Sequence, residues 1–173
     1  MNLAFALFEA EHIGLAWKFH VSPSSCENPD HYEEYIRFMA LSDRLSGMGV
    51  THVLIDSDAE RIAGFIALRL SSLFYTGDDG RKRGSPAMEI AELAVDAEYE
   101  KHGIGSALLD FATAAADDIR THTAGIKYLL ACADPAAEGF YLKNGFSRVS
   151  ELFEMPRDGS NNNCIPMYTQ FPE

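Results

Sequence analysis

The chain has 173 residues, 47% hydrophobic and 23% charged, the proportions of one soluble globular domain, here spanning 1–173, that can bury a core without staples. Lys and Arg total 14 against 26 Asp and Glu, a net charge of −12. That balance argues against nucleic acid as a partner, because such affinity is drawn from cations that neutralise phosphates.

The N-terminal "MNLAFALFEAEHIGLAW" is apolar but lacks a basic n-region, and no run reaches the roughly 20 apolar residues of a membrane span. It reads as a first strand of a cytoplasmic protein. Cys26, Cys132 and Cys164 form an odd set without CxxC spacing, which predicts reduced thiols and no structural metal. "ENPDHYEEYIRFMALSDRLSGMG" predicts a helix with Asn28 as N-cap, Pro29 at the first helical position and glycines at its end. "THVLID" and "RIAGFIALRLSSLFY" predict strands around a turn at Ser57–Glu60. The segment from Thr76 to Pro86 predicts an exposed loop in which Arg81, Lys82 and Arg83 are a solvated basic run.

"AMEIAELAVDAEY" predicts a further strand, running into glycines at 103 and 105, after which Ile104, Leu108, Phe111, Ala112, Ala115 and Ile119 recur at helical spacing. "IKYLLACA" predicts a buried strand. "DPAAEGFYLKNGF" predicts a helix capped by Asp134 and stopped at Gly145, followed by an exposed loop at 157–163 between the strands "FSRVSELFEM" and "IPMYTQF". The expected fold is mixed α/β (α+β), with a central, mostly antiparallel sheet flanked by helices.

A strand feeding a glycine loop that opens a helix is a phosphate cradle in outline. The helix N-terminus offers unpaired amides and about half a positive charge, so the main chain from Lys101 through His102, Gly103, Ile104, Gly105 and Ser106 can hold an anion without a basic side chain. Glu100 is then expected to point to solvent. The loop lacks the GK[ST] of a P-loop and the third glycine of a dinucleotide fingerprint.

"LAVDAEYEKHGIGSALLDFA" resembles the pyrophosphate-binding signature of the GNAT superfamily of acyl-CoA N-acyltransferases, and "AAEGFYLKNGF" resembles the later helix of that family. The resemblance covers Thr51 to about Phe153. "SSCENPDHYEEYIRFMA" followed by the hairpin is similar to the GNAT subgroup that includes toxin-type enzymes acetylating aminoacyl-tRNA. The family usually has Arg or Gln where Glu100 stands and Asn where Asp134 stands, so these two contacts to the cosubstrate differ here.

The resemblance implies acetyl-CoA as acyl donor and direct attack of an amine on its thioester, without a metal. It implies that the main chain at Leu93, Ala94 and Val95 pairs with the pantetheine arm, that the 101–106 loop holds the pyrophosphate, and that Tyr141 is the general acid. A general base must take the proton of an amine whose pKa is roughly 10. Glu92 is the first candidate and Glu89 the second; strand parity does not choose between them, because this family commonly carries a bulge there. A small-molecule or amino-acid-like amine is the expected acceptor, since an acidic surface suits cations. The alternatives are toxin-type acetylation of aminoacyl-tRNA and an acyl-CoA-binding module without turnover. The family also admits a homodimer.

Overall fold

The computed structural model describes residues 1–156 and 163–172. The loop expected at 157–163 lies, apart from Asn163, outside the described residues. Met1–Arg69 with Ala91–Ala112 make one compact unit, and Leu70–Ile90 with Thr113–Glu173 make another. The fold is mixed α/β. Among the described residues eight strands, β1 (Leu3–Leu7), β2 (Val50–Asp56), β3 (Arg61–Thr76), β4 (Lys82–Val95), β5 (Tyr128–Ala133), β6 (Ser147–Arg148), β7 (Phe153–Glu154) and β8 (Ile165–Gln170), form an open sheet in the order β1-β2-β3-β4-β5-β8-β6, with β7 paired to β3.

In the first unit β1 (Leu3–Leu7) lies antiparallel to β2 (Val50–Asp56), which pairs antiparallel with β3 (Arg61–Thr76). The expected first strand ends early: Glu9 and His12 close a capping box on the turn Ala10–His12, and a short α1 (Ile13–Ala16) follows. The expected single helix between residues 29 and 46 is three pieces, α2 (Pro29–Glu34), a π turn (Tyr35–Met39) and α3 (Ala40–Ser46). Pro29 starts it as expected, Asn28 caps by position without a side-chain bond, and Gly47 ends it at φ 75°. Phe8, Phe19, Ile36, Val53, Ile62 and Phe65 are the large side chains of this unit's core.

β4 (Lys82–Val95) starts earlier than expected. Lys82–Pro86, expected as loop, already belong to the strand. Within the basic run, Arg83 forms a two-pronged bond to Asp79 (2.7 and 2.9 Å), while Lys82 pairs with Glu154 and lies over the Phe74 ring. After β4 comes the turn Ala97–Tyr99 and then α4 (Ile104–His122), which buries Ile104, Leu108 and Ala112 on its apolar stripe.

In the second unit β5 (Tyr128–Ala133) runs parallel to β4 over the pairs Ala87–Tyr128 to Ile90–Ala131 and antiparallel to β8 (Ile165–Gln170). Asp134 caps the next turn by accepting from the Ala136 N–H (2.9 Å), as expected, and α5 (Glu138–Lys143) stops before Gly145 at φ 84°. The strand expected from Phe146 to Met155 is two short pieces, β6 (Ser147–Arg148) against β8 and β7 (Phe153–Glu154) against β3. Cys132 and Cys164 form a disulfide, their Cα atoms 5.3 Å apart; this corrects the expectation of three reduced thiols, and only Cys26 stands outside a disulfide. The pairing was illegible because spacing cannot reveal that Cys132 faces Pro166 across β5 and β8. Among the described residues no helix is long and apolar enough to cross a membrane.

Gly64 sets how closely α4 approaches the sheet. A Cβ there would lie 2.9 Å from Ile104 Cγ2, 3.0 Å from Leu108 Cδ1 and 3.0 Å from the Ala94 carbonyl oxygen. The carbonyl belongs to β4 and cannot swing aside as a side-chain tip can. Gly64→Ala should therefore cost about 1–3 kcal/mol, seen as a lower urea midpoint at unchanged m-value. An unchanged midpoint would mean that the helix shifts freely and that its start is not fixed by this contact.

Candidate active site

The turn that opens α4 has two left-handed residues, Lys101 at φ 63° and Gly103 at φ 77°. A Cβ at Gly103 would meet nothing within 4 Å, so glycine serves there for its backbone angle rather than for space. Lys101 adopts the same region at a cost that an L residue seldom bears. The first α4 bond within the helix runs from the Ala107 N–H to the Gly103 carbonyl (3.0 Å). The amides of Ile104, Gly105 and Ser106 consequently have no carbonyl one turn back to donate to, as any helix start requires. Such a turn, with a 19-residue helix behind it, suits an anionic pyrophosphate.

Glu100 does not simply point to solvent. Its carboxylate accepts a bond from the Ser25 hydroxyl, and its carbonyl accepts from His102 Nδ1 (2.8 Å). The negative charge beside the turn is thus tied to the 22–26 loop. Lys101 and His102 are exposed.

Asp96 anchors the approach to this turn. Its carboxylate, 1% exposed, accepts from the N–H of His20 and of Glu98 (both 3.0 Å) and from Arg61 Nη2 (3.2 and 3.3 Å). Arg61 also reaches Glu98 through Nη1 (2.8 Å). Removing the carboxylate in Asp96→Ala leaves two amides and Arg61 Nη2 without that partner. Stability should drop by about 3 kcal/mol, the low end for breaking a buried pair because Arg61 retains Glu98. A Tm lowered by less than about 3 °C would show that this hub is dispensable. Beside it the Tyr99 hydroxyl donates to Asp56 (2.9 Å). Burial first, and that carboxylate second, push the Tyr99 pKa up to about 12, while Asp56 is held below the usual carboxylate range chiefly by the Asn2 N–H.

Leu93, Ala94 and Val95 lie in the last segment of β4, which continues past the ladder to β5. Of the two candidate bases, Glu89 is buried at 4% exposure, in register with Leu130, whereas Glu92 keeps 15% of its side chain exposed. Both oxygens of Glu92 face His31 Nε2, at 2.9 and 3.0 Å. His31 is a residue that sequence reasoning missed. It lies 61 positions from its partner, and no local pattern marks it. Tyr35, next on the same helical stretch, donates to Asp43 (3.2 Å); burial raises its pKa above the ordinary 10, with the charge of Glu92 among the smaller causes.

Tyr141 sits in α5, 6% exposed, its ring edge-on to Phe140 (5.2 Å) and Phe146 (5.3 Å). The Tyr141 carbonyl accepts from the N–H of Phe146 (3.1 Å), closing the end of the helix. Among the described residues no group of His, Cys, Asp and Glu could hold a metal.

A family model described as an acetyltransferase (GNAT) domain matches residues 47–148, more than half of the chain. The fold is similar to that of a bacterial toxin, at 20% identity and TM-score 0.74, covering 97% of this chain and 90% of that one. It is similar to a tyrosine-to-phenylalanine mutant of the toxin AtaT bound to acetyl-CoA and to the C-terminus of the antitoxin AtaR, at 15% identity and TM-score 0.69, covering 98% and 94%. It is also similar to AtaT complexed with acetyl-methionyl-tRNAfMet, at 16% identity and TM-score 0.71, covering 99% and 95%. The chain belongs to the GNAT acetyltransferase family and is an acetyl-CoA-dependent N-acyltransferase, with acetyl-CoA as its cosubstrate.

Proposed function

We propose that this enzyme, acting as one catalytic domain, transfers the acetyl group of acetyl-CoA to the amino group of an aminoacyl-tRNA. What supports this reading is likeness over the whole chain. The family match begins at residue 47, yet the similarity to AtaT with its acetylated methionyl-tRNA covers 99% of the chain and therefore takes in the helical stretch from Pro29 to Ser46. An antitoxin protein is a proposed partner on the same ground.

In the proposed reaction the main chain at Leu93, Ala94 and Val95 receives the pantetheine arm as an added strand, and the amides from Lys101 to Ser106 receive the pyrophosphate. Glu92 takes the proton of the acceptor's ammonium. The freed electron pair on nitrogen attacks the thioester carbonyl, whose oxyanion is stabilised by the backbone N–H near Leu93. The C–S bond then breaks as Tyr141 gives its phenolic proton to the departing thiolate; the second proton on the former amine nitrogen leaves to solvent, and the Tyr141 phenolate regains a proton from solvent.

One observation favours a small-molecule amine instead. With a net charge of −12, few phosphates can be neutralised, so tRNA binding should be weak and lose little with added salt. Release of CoA, followed with bulk aminoacyl-tRNA, deacylated tRNA and a panel of small primary amines, separates the two. The proposal requires turnover with charged tRNA and none with deacylated tRNA. Turnover confined to the small amines would replace it with the second reading.

A further inference from the structure

Nothing in the family match touches His31, because that match begins at residue 47. Yet its Nε2 stands 2.9 and 3.0 Å from the two oxygens of Glu92, equidistant enough for one N–H to serve both. An ionised carboxylate has no proton to give, so the hydrogen must be on Nε2 and imidazole is the donor. The His31 side chain is 36% exposed and that of Glu92 15%, so the bond is shielded from water on much of its surface and is worth more than a fully solvated one.

The histidine is itself held. It belongs to the first turn of α2, which Pro29 starts and whose continuation is anchored by buried Tyr35 and Ile36. The ring of Tyr32 stands edge-on to the imidazole at 5.1 Å. A glutamate side chain otherwise samples many rotamers, and fixing it beforehand removes that entropy from the reaction.

We propose that His31 is a positioning residue for Glu92: its Nε2–H holds the carboxylate in one orientation while the acceptor's proton is transferred to it. The N–H bond of the ammonium breaks, an O–H bond forms on Glu92, and the electron pair left on nitrogen attacks the thioester. His31 keeps its own proton throughout. This inference rests on Glu92 being the base.

The test measures single-turnover acetyl transfer to bulk aminoacyl-tRNA, or to whichever small amine the wild type accepts, for H31A, H31Q, E92Q and H31A/E92Q. Rates are expressed per acetyl-CoA binding site, so a partly unfolded variant is not mistaken for a slow one. E92Q should lose about a hundredfold or more, the usual contribution of a base. H31A should lose about tenfold, with acetyl-CoA affinity unchanged, and H31Q, which retains an N–H donor, should recover part of that. Since a positioning residue can act only through its partner, H31A/E92Q should be no slower than E92Q. A wild-type rate for H31A, or a double variant slower than E92Q by the full H31A factor, overturns the inference while leaving Glu92 as base. A wild-type rate for E92Q overturns the base assignment and the inference with it. A wild type silent with every acceptor overturns the proposed reaction and this inference together.

Discussion

Replacing Tyr141 with phenylalanine is expected to lower kcat about a hundredfold while leaving the acetyl-CoA-induced rise in Tm in place. The substitution keeps the ring that packs against Phe140 and Phe146 and removes only the hydroxyl, so core packing is preserved. General acid catalysis contributes roughly a hundredfold to ten-thousandfold. The lower end applies because a thiolate, with a conjugate pKa of roughly 8.5, leaves tolerably without help. Cosubstrate binding by main-chain amides does not involve the phenol, so the thermal shift should survive. Near-wild-type turnover with chemistry rate-limiting would make Tyr141 a packing residue, as its 6% exposure and two aromatic neighbours also allow.

Gly105→Val should remove the thermal shift itself. Gly105 is the second residue of α4, where a pyrophosphate held by the first amides must approach the main chain closely. A ligand at a hundred times its Kd stabilises the native state by about 2.7 kcal/mol, which for a chain of this size is about 5–10 °C in Tm. Valine projects a branched side chain into that approach, and the shift should fall below about 1 °C at the same acetyl-CoA concentration. The unliganded Tm should change little, because the residue lies in the first helical turn, where glycine and valine differ in helix propensity by only tenths of a kcal/mol. Equal shifts in both proteins would remove the turn from the binding account.

Both predictions concern residues that the sequence marks locally. The strand, glycine turn and helix from Leu93 to Ala112 are legible because β-branched and apolar runs, two glycines and a 3.6-residue stripe all lie within one short window. The caps at Pro29 and Asp134 are legible for the same reason, since a cap acts within three residues. The acidic residue at 100 is not. Its partner, Ser25, lies 75 positions away, and nothing near either residue foretells the bond. The His31–Glu92 pair and the Cys132–Cys164 disulfide fail to show in the sequence in the same way, because each depends on which strand or helix the chain folds beside. The π turn at Tyr35–Met39 interrupts a pattern that reads as one continuous helix, since the stripe of buried residues passes through it unbroken in type. What distinguishes Glu89 from Glu92 also lies outside local pattern: Glu89 is buried, and Glu92 accepts from His31.

In the proposed reaction the acetyl group ends on the amino nitrogen of an amino acid still esterified to tRNA. That outcome is tested most directly by incubating the enzyme with labelled acetyl-CoA and bulk aminoacyl-tRNA, recovering the tRNA, and hydrolysing the ester with mild base. Labelled N-acetyl amino acid should be released, in amounts equal to the CoA formed, and deacylated tRNA should carry no label. Label absent from the tRNA while small free amines in the same mixture become acetylated would contradict the proposed reaction.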